Sequence, residues 1–219
     1  AALWKDGKFS DPHTAIRYLD EAIKLEPDSA NTFNNRGIAY AGLGQHARAI
    51  EDFNQAIRLK PDCAEAFNNR GLAYVDLGQH ARAIEDMNQA IRLKPDYAAA
   101  FGNRGIAYYN LGHHARAIED YNQAIRLKPD DASVFYNRGI AYYNLGQHAR
   151  AIEDYSQAIR LKPDYAIAFS NRGRAHLQLG HPPQGCRDAS TACNLGDCKL
   201  LEITKREGWC NARQPHLRM

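Results

Sequence analysis

The sequence predicts an all-α protein made of stacked pairs of antiparallel helices. Three observations carry that prediction. The tetrapeptide Asn-Asn-Arg-Gly at 34–37 returns at 68–71, and close variants follow at 102–105, 136–139 and 170–173, always 34 residues apart. Within each interval the apolar residues recur at helical spacing instead of alternating. Glycine and proline punctuate each interval at two fixed places, as helix stops do. A two-helix unit of this length cannot bury its apolar face alone, so the units must stack in a row.

The chain opens Ala-Ala-Leu-Trp-Lys, without an initiator Met or a signal-peptide pattern, as a processed form or an excised piece would. Residues 1–29 read as a truncated repeat. Gly7 stands eight residues before Ala15, against five from Gly44 to Ala49, so the intervening FSDPHT should make a longer turn. Asp11 and Pro12 then start the second helix of this unit. Trp4 is expected inside what remains of the first helical hairpin; an exposed Trp4 would instead make the end around Leu3 and Trp4 an oligomer contact. Four full units follow at 30–63, 64–97, 98–131 and 132–165.

The unit 64–97 is the clearest. Phe67, Leu72, Ala73, Tyr74 and Leu77 mark a first helix over 64–77, with Asp62 and Glu65 suited to a capping box at its start. Gly78 ends it, because glycine tolerates the left-handed backbone just past a helix end. The second helix runs from His80 to Leu93, with Ala83, Ile84, Met87, Ala90, Ile91 and Leu93 on its apolar stripe. Pro95 cannot continue it. Gly71 opposite Ala83 lets the two backbones come close. A degenerate fifth repeat covers 166–196. The stretch 197–219 supplies a capping helix and tail, with Leu200, Leu201 and Ile203 over the apolar face that the last hairpin leaves.

Each unit couples an arginine (Arg36, Arg70, Arg104, Arg138, Arg172) to an acid in its second helix (Asp52, Asp86, Asp120, Asp154, Asp188). The truncated first unit lacks the arginine and has Tyr18 in the acid's place. This co-occurrence predicts an ion pair inside each hairpin, structural and partly buried, with a ligand-facing arginine as the alternative.

The order Phe67, Gly71, Tyr74, Ala83, Met87, Ala90 and Pro95 resembles the tetratricopeptide-repeat family, and bacterial members in particular, over about residues 15–195. One departure is the arginine before each glycine, where the family has leucine. The resemblance implies a right-handed superhelix whose first helices line a concave groove. It also implies a non-catalytic scaffold that binds an extended peptide or protein segment there.

Other function classes find little support. A net charge of +3, with Lys and Arg dispersed, offers no basic stripe for nucleic acid. No apolar run reaches the ~18 residues that span a bilayer. His46, His80, His114 and His148 recur once per unit, too far apart to share a metal ion with ligands ~2 Å away, and read as a solvated stripe. Adjacent carboxylates such as Glu51-Asp52 recur in every unit, whereas an active site converges different residues in one pocket. No phosphate loop, nucleophile elbow or cofactor fingerprint is present. We therefore expect no catalytic residue, no metal and no cofactor. Self-assembly into a homo-oligomer stands as the second reading.

Four of the five cysteines, Cys186, Cys193, Cys198 and Cys210, follow the repeats. If the helices around Gly196 are antiparallel, a nested pairing of Cys193 with Cys198 and Cys186 with Cys210 suits them. A four-cysteine zinc site and free thiols are the alternatives. The tail also resembles those of exported bacterial repeat proteins. Disulfides would suit a periplasmic or secreted setting, reduced thiols the cytoplasm. Cys63, in an inter-unit loop, reads as unpaired.

Asn35, Asn69, Asn103, Asn137 and Asn171 stand one turn from the Phe-Gly seam on the first helices. An asparagine amide both donates and accepts, so it can hold a peptide backbone without reading its sequence. The family resemblance puts this ladder in the groove, as in the peptide-binding superhelix of O-GlcNAc transferase. Carboxylate-clamp repeats also carry asparagine here, but their charged partners are missing: the preceding residue is Asn34, Asn68, Gly102, Tyr136 or Ser170. A free C-terminal carboxylate is therefore not the expected ligand. Tyr109, Tyr136 and Tyr143, with Asn110 and Asn144, are the expected specificity residues.

Overall fold

The computed structural model describes residues 4–5 and 8–210. Two short strands, β1 (Trp4–Lys5) and β2 (Lys8–Phe9), pair antiparallel. Among the described residues twelve helices follow: α1 (Pro12–Leu25), α2 (Ala30–Gly42), α3 (His46–Leu59), α4 (Ala64–Asp76), α5 (His80–Leu93), α6 (Ala98–Asn110), α7 (His114–Leu127), α8 (Ala132–Asn144), α9 (His148–Leu161), α10 (Ala166–Gln178), α11 (Pro182–Asn194) and α12 (Lys199–Arg206). They form two compact units, Ala1–His113 and His114–Met219. In the first, helices α1 to α6 pack in succession, and the first helices α2, α4 and α6 stand side by side. In the second, α7 to α12 do the same, with α8, α10 and α12 adjacent.

The N-terminal expectation needs correction. A β-hairpin, not a helix, precedes α1. The start of α1 is as expected: Pro12 occupies its first turn and Asp11 Oδ1 accepts from the Thr14 amide at 3.1 Å. The side chain of Trp4, and Leu3 altogether, lie outside the described residues.

The capping box at α4 is also corrected. The helix begins at Ala64, so Cys63 is its N-cap, without a side-chain cap bond, and Asp62 stands one residue too early. The equivalent place in α8 does cap: Asp131 accepts from the Ser133 amide at 3.0 Å. Each hairpin turn is made by a glycine; Gly78 has φ +72°, a conformation that other residues avoid.

The core lies between helices of neighbouring repeats and is built on alanine. Tyr74, Ala83, Met87 and Ala107 form one cluster, with Ile50, Val75 and Ile84 against it. Phe135, Ala158 and Ala168 form another in the second unit. Gly71 has its predicted role, since a Cβ there would meet the Ala83 carbonyl oxygen and the Met87 side chain, both at 3.2 Å. Leu72 and Leu77, expected on the apolar side, are 38% and 42% exposed.

At the C-terminal end, disulfides join Cys186 to Cys210 and Cys193 to Cys198, the nested pairing. Cys63 is free and buried. Leu200 covers Gly173, and one turn on from it Thr204 is fully buried, its hydroxyl donating to the Leu200 carbonyl at 2.9 Å. Ile203, expected in the covering face, is 38% exposed, because it flanks Leu200 on the side away from Thr204 and so sits at the edge of the buried stripe. No described helix is long and apolar enough to cross a membrane.

Candidate functional site

The arginines behave as structural clasps. Arg70 Nε and Nη2 donate to the two carboxylate oxygens of Asp86 at 2.7 and 2.6 Å, and Arg36–Asp52, Arg138–Asp154 and Arg172–Asp188 repeat the fork. The carboxylates are buried. Hydrogen bonding to Asp86 outweighs burial and holds the Arg70 guanidinium above its ordinary range. Burial pushes the Asp154 carboxyl up against the opposing pull of Arg138. The remaining nitrogen, Nη1, reaches back to the preceding repeat: Arg36 to Asp20 at 2.7 Å, Arg70 to Asn54 and Arg104 to Asn88 at 2.6 Å, Arg138 to Asn122 at 2.6 Å and Arg172 to Ser156 at 3.0 Å. Each fork ties its hairpin together, and the third bond ties it to its neighbour. Sequence reasoning missed that second link, although Asn54, Asn88 and Asn122 recur 34 residues apart and only the ends differ, with Asp20 and Ser156.

The asparagine ladder lies on the first helices, half-buried, and bonds between repeats. Asn69 Nδ2 donates to Asn34 Oδ1 at 3.0 Å, Asn103 to Asn68 at 2.9 Å, and Asn171 to the Tyr136 hydroxyl at 2.9 Å. Part of each of these donors is therefore spent on the neighbouring repeat, through the residue preceding the previous ladder member. Asn35 and Asn137 occupy the same place in α2 and α8.

Of the expected specificity residues, Tyr109 and Asn110 end α6, and Tyr143 and Asn144 end α8. The Tyr143 ring lies 4.8 Å from that of His148. Tyr136 accepts from Asn171 and packs its ring 5.0 Å from that of Tyr165, so it also fills space between hairpins.

A second row runs beside the ladder, three residues on: Ile38, Leu72, Ile106 and Ile140, aliphatic in every full unit, then Arg174 in the last. The side chains are half-buried or exposed. Sequence reasoning missed this row, although its fixed offset from each asparagine was a signal. In the first unit the two rows meet at a cavity of about 320 Å³, walled by Phe9 and Pro12 and lined by Ile38, Asn69, Leu72 and Asp76. In the second unit, α10 and the α11–α12 turn border an open concavity of about 550 Å³.

The histidine stripe is corrected in one respect: His46, His80 and His148 are half-buried, with Nδ1 enclosed, because each sits in the first turn of a second helix packed on its neighbour. His46 Nδ1 lies 3.6 Å from Asp76. Among the described residues no group of three or more His, Cys, Asp or Glu is placed to hold a metal ion.

Family models described as "Tetratricopeptide repeat" match residues 4–64 and 34–98, and ones described as "TPR repeat" match 107–146 and 141–180. No curated protein matches the chain. Several solved structures do. The crystal structure of MamA is 25% identical, with a TM-score of 0.67, over 78% of this chain and 96% of MamA. YrrB, described as a TPR protein with an unusual peptide-binding site, is 18% identical with a TM-score of 0.68, over 88% of this chain and 99% of its own. TTC0263, described as a thermophilic TPR protein in Thermus thermophilus, is 20% identical with a TM-score of 0.65, over 83% and 98%. The last two show likeness of fold alone.

Proposed function

This chain belongs to the tetratricopeptide-repeat family, and from that premise we propose that it is a non-catalytic scaffold whose first-helix face binds an extended peptide or protein segment. The observation that carries this reading is the paired rows on that face. The asparagines offer amide groups to a peptide backbone, and the aliphatic row beside them offers apolar contact to its side chains. Asn69, Leu72 and Ile38 meet at one cavity, so a backbone bond and an apolar seat lie together there. The inter-repeat bonds refine the role of the ladder. An amide that has given one N–H to its neighbour keeps a second N–H and acceptor capacity on its oxygen; Asn69 Oδ1, which accepts from the Asn68 amide at 3.4 Å, keeps one lone pair.

The test uses an array of short synthetic peptides of random sequence, probed with the full chain. Selective binding is expected, and replacing Asn69, Asn103 and Asn137 by Ala should cost about 0.5–1.5 kcal/mol of binding for each lost side chain. Glu85→Ala is the control, because Glu85 is exposed on the second helix α5, away from the first-helix face. An array with no selective binding, or a triple variant indistinguishable from the control, removes the reading.

Self-association is the second reading, favoured by the outer face of α1, where Tyr18 is 63% and Leu25 84% exposed. Light scattering that returns only monomer from micromolar concentration upward removes it.

A further inference from the structure

The aliphatic row breaks once. Where the four full units carry Ile38, Leu72, Ile106 and Ile140, the last carries Arg174, exposed on α10. The change coincides with the concavity at the C-terminal end, lined by Ile167, Asn171, Arg174, Leu195, Asp197 and Lys199. Ile167 is 47% and Leu195 40% exposed, so apolar surface stands open beside the two cations. The one acid, Asp197, accepts from the Lys199 backbone amide at 3.4 Å and so faces the start of α12. Asn171 belongs to the ladder, with one donor bonded to Tyr136. The site joins two parts of the chain: Ile167, Asn171, Arg174 and Leu195 come from the last repeat, while Lys199 opens the cap. The Cys193–Cys198 disulfide closes the turn between them, and so fixes where Leu195 and Lys199 stand.

We propose that this corner is an acidic-residue subsite: it takes an Asp or Glu side chain, next to an aliphatic one, of the extended segment that binds the first-helix face. The inference rests on the peptide-binding reading and adds the chemistry of the ligand to it. A carboxylate suits the site because Arg174 presents a planar fork and Lys199 a second positive charge. Ile167 and Leu195 suit the neighbouring aliphatic side chain. The cap is then part of the binding surface as well as a cover for the last hairpin. An internal side chain, not a chain terminus, is the expected source of the carboxylate.

The experiment probes the same random peptide array, all peptides C-terminally amidated, with the full chain and with Arg174→Ile and Lys199→Ala. Arg174→Ile restores the residue type that the full repeats carry, and circular dichroism checks that helix content is kept. The expected result is enrichment of Asp or Glu beside Ile, Leu or Val among bound peptides, lost in Arg174→Ile, with other array binding retained. For an enriched peptide resynthesised and titrated, affinity should fall at least about tenfold in that variant, the scale of a hydrogen bond to a charged group. Reduction of the disulfides should weaken the same peptide and spare peptides without acids. Selective binding with no acidic preference, or a preference that survives Arg174→Ile, overturns the subsite and leaves the groove reading standing. The enriched peptide is also resynthesised with phosphoserine in place of its acid and with a free C-terminus in place of the amide, and a gain of about tenfold or more in either form overturns the side-chain carboxylate as the group recognised. An array that binds nothing removes the groove reading, and the subsite with it.

Discussion

At the residue scale, the Arg–Asp pairs decide more than their charge suggests. A buried carboxylate that loses its guanidinium, or the reverse, is left as an uncompensated charge, which costs ~3–5 kcal/mol. Asp86→Ala is expected near the lower end, about 3 kcal/mol, because Arg70 keeps its bond to Asn54. The measurement is thermal unfolding, and an unchanged midpoint removes the pairing from the stability argument. A double change of Arg70 to Met and Asp86 to Leu should cost far less than the single one, since neither charge remains buried. These pairs were legible in the sequence because both partners recur and vanish together at Tyr18. The histidines were not. His176 stands where the full repeats have tyrosine, and its enclosed Nδ1 has no hydrogen-bond acceptor. Burial lowers its pKa, helped by Arg172, His181 and Arg187 and opposed by Asp188. A lowered histidine pKa means that the unfolded chain takes up the proton first. The contribution to stability is therefore full above the ordinary pKa of 6.5 and lost as pH falls through the folded value. His176→Tyr should flatten the dependence of the melting temperature on pH below that point. An equal slope in the variant shows that other groups set the acid limit.

At the element scale, the glycine in each first helix measures how closely the hairpin is packed. A Cβ on Gly139 would come within 2.7 Å of the Tyr155 ring, whereas one on Gly71 would meet a flexible methionine and a carbonyl oxygen at 3.2 Å. A ring wedged in a full core moves less readily than a thioether chain. Alanine also favours helix over glycine by about 1 kcal/mol, which offsets part of the crowding. Gly139→Ala should therefore cost about 1–3 kcal/mol and Gly71→Ala less than about 1 kcal/mol, compared by urea unfolding. Equal losses would show that backbone approach, common to both sites, sets the limit and not the facing side chain. Helix existence and order were legible because period, glycine and proline agree. What failed was local and positional. The capping box missed because α4 starts one residue later than Asp62 requires. Ile203 missed because Leu200, Leu201 and Ile203 define an apolar side but not which edge of it turns to the repeats, and the buried edge is shared by Leu200 and Thr204. The two rows on the first-helix face were half legible: asparagine stands out among hydrophobic neighbours, whereas Ile38 and Ile140 also pack against the core, and only the partial exposure of the aliphatic residues marks their row.

At the scale of the whole molecule, stability should be local, because a repeat array is approximately a sum of unit terms and nearest-neighbour terms. The two disulfides bear only on the end that they close. The Cys186–Cys210 bond spans 24 residues. A loop of that size restricts the unfolded chain by about 3 kcal/mol in the chain-entropy treatment. Opening it releases the end of α12 from α11, and with it the cover that Leu200 provides over Gly173 and the burial of Thr204. The loss should reach α10 and α11, which touch α12, and fade from there. Hydrogen exchange followed by mass spectrometry, before and after reduction, reads this directly. Amides of α10 to α12 should exchange faster in the reduced chain, and those of α2 to α4 should not change. Cys186→Ser with Cys210→Ser should reproduce the pattern without reductant. Acceleration spread evenly from α2 to α12 would instead mean that the array opens as one cooperative body. In that case the cap would govern the stability of the whole first-helix face, and reduction would weaken every peptide that the array binds, with or without an acid.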